Sequence, residues 1–178
     1  MPATGSLRRA FAALTAVLAL LLPLTAIAGM DDAAVISKFK EKDPGMAKHF
    51  ADAYGYAIFP TVGKGAIGIG AARGKGRVYE RGSRVGNSTL TQVSIGFQLG
   101  GQAYSEVIFF KDKTALDDFK RGNFELDAQA SAIALTTRAS RDLAYNKGVA
   151  IVTMAKGGLM YEASVGGQKF SYKPIDDK

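Results

Sequence analysis

The sequence predicts an α+β domain built on a large, mostly antiparallel β-sheet. About eight strands are expected, curled into a sandwich or a partly closed barrel, with N-terminal helices and one internal helix. Three observations predict it. The hydrophobic period is helical from Asp31 to Gly55 and switches to two at Tyr56. Strand-like segments then follow one another through short glycine-containing turns, which force neighbours antiparallel. The composition, 47% hydrophobic and 22% charged in 178 residues, suits one domain with its own core.

The first 28 residues are expected to lie outside that domain. Arg8 and Arg9 form a basic start, Ala10–Leu22 is an apolar run, Pro23 breaks it, and Ala26-Ile27-Ala28 has the small-x-small pattern of a leader-peptidase site. This reads as a secretory signal cut before Gly29, leaving residues 29–178 as a single domain, periplasmic or secreted. An uncleaved anchor is the alternative, but the run is short for a membrane span. There is no cysteine, which excludes disulfides and a lipidated cysteine anchor. Without Arg8 and Arg9, 21 basic residues face 16 acidic ones, a net charge of +5. That charge permits an anionic partner; nucleic acid is not expected for an exported chain.

In Asp31–Gly55, Val35, Ile36 and Phe39 share a face that Met46, Phe50 and Tyr54 continue, and Pro44 splits the pattern into two short helices. Tyr56–Pro60 reads as a strand ended by its proline. Gly65–Ala72 is a second strand, and Gly74-Lys75-Gly76 a turn into Arg77–Gly82. Thr89–Gly101 and Ala103–Lys111 alternate as strands. Asp112–Asn123 is the internal helix, capped by Asp112 or Thr114 and ended at Gly122. Phe124–Leu135 is alanine-rich but alternates with period two, so a strand is expected, then a loop over Thr136–Gly148. Strands at Val149–Ala155, Leu159–Val165 and Lys169–Lys173 finish the chain.

Most chemical motifs fail on context. Gly63-Lys64-Gly65-Ala66-Ile67-Gly68 matches G-x-G-x-x-G, but a strand follows where a phosphate-binding loop needs a helix N-terminus. The only histidine, His49, has no cysteine to join it, so no zinc or transition-metal site is expected, nor any cofactor. Glu106 is the one carboxylate on an otherwise apolar strand; it is expected to pair with a lysine or lie at an edge. An enzyme with Glu106 or Asp127 in a pocket is the least favoured reading. The strongest local signal is cationic: Arg73, Lys75, Arg77, Arg81 and Arg84, with Lys64 just upstream, opposed locally only by Glu80. A solvated sheet edge explains such a cluster; so does a surface for phospholipid headgroups.

The order of motifs resembles the SYLF domain family. The resemblance rests on Phe59-Pro60 with Lys64-Gly65, on Gly96, Gln98, Gly100 and Gln102, on Phe109-Phe110, and on Gly158-Leu159-Met160. It extends over most of Asp31–Lys173. It implies a non-enzymatic lipid-binding module, with actin binding in yeast members and membrane contact through an N-terminal amphipathic segment and basic residues. Lys38, Lys40 and Lys42 match that segment by position. An exported chain would meet neither cytoplasmic actin nor phosphoinositides, so an anionic envelope phospholipid is the expected ligand. A protein-interaction or envelope-structural module without lipid affinity is the alternative.

Overall fold

The computed structural model describes residues 31–67, 69–95, 102–122, 124–127, 130–156 and 163–175. The proposed signal segment, the Gly96–Gly100 motif and the Gly158–Met160 motif lie outside them.

Helices α1 (Asp32–Lys42) and α2 (Met46–Asp52) are separated at Asp43–Gly45, as Pro44 predicts. The break is fastened by Asp43: one carboxylate oxygen accepts from Gly45 N–H at 3.0 Å, the other from Ser140 N–H at 2.7 Å. Strands β1 (Gly55–Ile67), β2 (Ile69–Glu80), β3 (Ser83–Ile95) and β4 (Gln102–Phe110) lead to α3 (Lys113–Lys120), which Asp112 caps by accepting from Ala115 N–H. Then come β5 (Phe124–Glu125), β6 (Ser131–Ala134), α4 (Ala139–Asp142), β7 (Val149–Ala155), β8 (Ala163–Ser164) and β9 (Lys169–Pro174). Among the described residues the sheet has nine strands in the order β5-β9-β3-β2-β1-β4-β7-β6-β8, antiparallel except for β6 against β7.

The sheet is strongly curled. Gln168, just before β9, donates to Tyr104 Oη and Glu106 on β4, although β9 and β4 stand four places apart in the order. Laid flat, those strands would be about 19 Å apart. Inside the curve, Ala57, Phe59, Val62, Val78, Leu90, Ile108 and Phe170 pack with Leu116 and Phe119 of α3. Outside it, Val35 and Phe39 of α1 and Met46 of α2 cover Tyr56, Ile58, Val107, Phe109, Ala150 and Val152. β1, β4 and β7 are thus buried on both sides and read as near-continuous apolar runs.

Several expectations need correction. Pro60 does not end a strand: the chain continues through a β-bulge between Ile58 and Thr61, which accommodates a proline that cannot serve the ladder. Gly74-Lys75-Gly76 is not a turn but the middle of β2. Its glycines face inward, where a Cβ at Gly76 would stand 2.5 Å from the Phe59 ring and one at Gly74 2.8 Å from Val62 Cγ2. The tight turn that follows is Arg81-Gly82, with φ of 48° and 80°. Phe124–Leu135 is not one strand; β5 joins β9 and β6 joins β7, near opposite ends of the sheet. The expected loop at Thr136–Gly148 contains the short α4.

Candidate functional site

The curl gives each strand an inner and an outer face, and β2 sorts its residues cleanly. Ala72, Gly74, Gly76 and Val78 are buried within, while Arg73 and Lys75 are exposed outside. Directly paired residues share a face, so the register extends this convex surface as three rows. Arg73 lies beside Thr91 and then Lys169; Lys75 beside Thr89 and Ser171; Arg77 beside Asn87 and Lys173. Strand spacing and rise make this grid about 10 Å by 14 Å. Its charges lie within about one or two Debye lengths at physiological salt. A groove of about 410 Å³ runs beside the β1 bulge, lined by Thr61, Gly63, Arg73, Lys75 and Arg77. Val93, 73% exposed and paired with Ala71, adds an apolar residue one row beyond Arg73.

α1 shares this convex face. At its N-terminus Asp32 is buried and takes two hydrogen bonds from the Arg77 guanidinium, one of them from Nε at 2.5 Å, and a third from Tyr79 Oη at 2.6 Å. Burial, and then the bond to Asp32, raises the Tyr79 phenol well above its ordinary range. Tyr56 stacks on Tyr79 beneath, with centroids 4.9 Å apart. Lys38, Lys40 and Lys42 are exposed on the helix, Lys40 lying 5.7 Å from the Phe50 ring centroid. Lys38, Glu41 and Lys42 flank a wider groove of about 830 Å³ against Ala134–Thr137 and Thr153–Ala155. Between helix and strands, Lys156 donates to Thr61 at 2.6 Å. Burial and the nearby Lys38 charge lower its ammonium pKa.

The cations named from sequence therefore divide. Arg73 and Lys75 present free ends on the convex grid, whereas Arg77 is tied to Asp32. Arg84 lies on the same face and donates to Asn87 at 2.6 Å. Arg81, in the turn, stacks 5.0 Å from the Tyr54 ring centroid. Lys64 is separated from them: it pairs with buried Ala72, so it points to the concave side. Sequence reasoning missed Lys169 and Lys173, which join Arg73 and Arg77 only through the β3–β9 pairing.

The isolated groups have other roles. His49 Nε2 contacts the Ser140 carbonyl at 2.9 Å, tying α2 to α4. Asp127 is exposed and paired with Lys147 at 2.7 Å. Glu106 is neither at an edge nor paired with a lysine: it sits on an interior strand at 0% exposure, held by Gln168 Nε2 at 3.1 Å. With no cation beside it among the described residues, burial pushes its carboxyl up to about 8.

A sequence profile of the Ysc84 family, described as "Las17-binding protein actin regulator", matches residues 91–174. These run from the outward-facing Thr91 of β3 to the end of β9. Beta cell expansion factor A of Aeromonas veronii is 30% identical over 148 residues, covering 82% of this chain. The chain spans about half the length of that curated relative, 55%.

Proposed function

The chain belongs to the SYLF (Ysc84) family, and from that premise we propose that it is a non-enzymatic module that docks on anionic phospholipid through its convex face. The observation that carries this reading is the exposed cationic grid of Arg73, Lys75 and Lys173, joined by Lys169, which pairs with Glu125 at 3.4 Å, on the face where α1 sets Lys38, Lys40 and Lys42. Each basic side chain near an anionic bilayer contributes about 1 kcal/mol, so a few suffice for reversible docking. The role of α1 is narrower than the sequence suggests. Val35 and Phe39 are fully buried against the sheet, so the helix supplies lysines rather than an apolar wedge. Val93 is the better candidate for contact with the acyl boundary.

The signal-like start, Arg8-Arg9 with Ala10–Leu22 and Ala26-Ile27-Ala28, supports export, making an envelope phospholipid the natural target. Co-sedimentation with phosphatidylglycerol and phosphatidylcholine vesicles tests the reading. Binding is expected to the former alone and to weaken steeply as salt is raised. Equal binding to both, or to neither, overturns it. The family's description as Las17-binding favours a second reading, an acidic protein partner on the same face. A co-purifying partner that survives detergent and is displaced by neither lipid nor salt would support that instead.

A further inference from the structure

The concave face holds a polar locus that docking on the convex face does not use. Glu106 of β4 and Thr153 of β7 are directly paired in register, which sets their Cβ atoms about 5 Å apart on one side of the sheet. Their exposures are 0% and 1%. Gln168, also at 0%, reaches across from the start of β9 and is held by its Nε2 bonds to Glu106 Oε2 and Tyr104 Oη. Each of these three residues keeps one oxygen without a partner: Glu106 Oε1, Thr153 Oγ1 and Gln168 Oε1. Buried polar atoms are nearly always satisfied, so three orphaned oxygens on adjoining residues call for an occupant.

The chemistry of the set narrows the occupant. All three atoms are hard oxygen donors, which favour alkali and alkaline-earth ions over zinc or copper. Among the described residues no three His, Cys, Asp or Glu side chains gather to hold a multivalent metal. Among the described residues no side-chain cation serves the locus either. Lys156 donates to Thr61, and the inward-facing Lys64 pairs with Gln102, four residues along β4 from Glu106 and so about 13 Å away. One carboxylate balances one positive charge; a divalent ion would leave an uncompensated charge in the interior, which is strongly unfavourable.

We propose that Glu106 Oε1, Thr153 Oγ1 and Gln168 Oε1 hold a small monovalent cation, sodium or potassium, inside the curl of the sheet. Such an ion joins β4, β7 and the start of β9, bracing the curl from within.

The test is thermal unfolding of the purified chain at pH 9, where the Glu106 carboxyl is ionised, in sodium, potassium or N-methylglucamine chloride at equal ionic strength. N-methylglucamine is too large to enter. One of the two alkali ions is expected to raise the melting temperature by about 3 °C or more at tenfold excess over its dissociation constant. Glu106→Gln and Thr153→Val should each lose most of that difference; the valine variant keeps the volume and serves if the glutamine variant fails to fold. Identical melting in all three salts means the oxygens are met by water only and overturns the proposal. An alkali-ion effect that survives in both variants places the ion elsewhere and overturns it equally.

Discussion

Replacing Glu106 with Gln should remove a loss of stability that wild type suffers as pH rises. The carboxyl is fully buried, and its pKa rises from 4.5 in the unfolded reference to about 8. Between those values the folded chain binds more protons than the unfolded one, so this group's contribution to stability falls as pH rises. It is fully present below 4.5 and fully lost above 8. At 1.36 kcal/mol per pH unit, the loss is about 3 kcal/mol by pH 7 and about 5 kcal/mol on the plateau, an upper bound for a rigid interior. Glutamine keeps an acceptor for Gln168 and cannot ionise. Tyr104, the other titratable group beside Glu106, has its phenol raised by burial and then by Glu106, so it stays neutral throughout. Urea denaturation at pH 5, 7 and 9 in N-methylglucamine chloride, free of alkali ions, gives the comparison. The two proteins should be close in stability at pH 5, with the variant increasingly the more stable towards pH 9. Parallel profiles would refute the buried, unpaired carboxyl. So would a wild type that gains on the variant as pH rises, the behaviour of a salt-bridged acid.

Three further outcomes follow from contacts already described. Asp32→Asn weakens the anchor that Arg77 and Tyr79 make with α1, and urea midpoints should fall by about 1–3 kcal/mol equivalent. Gly76→Val drives a side chain into the Phe59 ring and the Ile58 carbonyl, and should cost about 3 kcal/mol or more or abolish soluble expression. Gly63→Ala, whose Cβ meets nothing within 4 Å, should melt like the wild type, within about 0.5 kcal/mol.

Local pattern revealed what is locally determined. The switch from period 3.6 to period two at Tyr56, the break at Pro44 and the Asp112 cap all depend on neighbours in sequence. β4, β7 and β9 could be read for the same reason. The Gly-Lys-Gly at 74–76 misled because its composition is that of a turn, while its glycines serve Val62 and Phe59 on the adjacent strand. Lys64, just upstream of the cationic cluster in sequence, is set apart from it by parity. Ala57 and Phe59 face inward as odd residues, and after the bulge the inward set is even, Val62 and Lys64. One inserted residue moved that cation to the other side of the sheet. Lys169 and Lys173 joined the grid, and Asp32 met Arg77, through pairings that no local pattern encodes.

The proposed docking face is tested most directly by comparing two neutralisations on opposite sides of the same sheet. Wild type, Arg73→Gln/Lys75→Gln and Lys64→Gln would be partitioned onto phosphatidylglycerol vesicles at low salt. At about 1 kcal/mol per cation, the double variant should bind about 30-fold more weakly, and Lys64→Gln within about twofold of wild type. A double variant that binds like wild type, or a Lys64→Gln variant that loses as much, would contradict docking through the convex face.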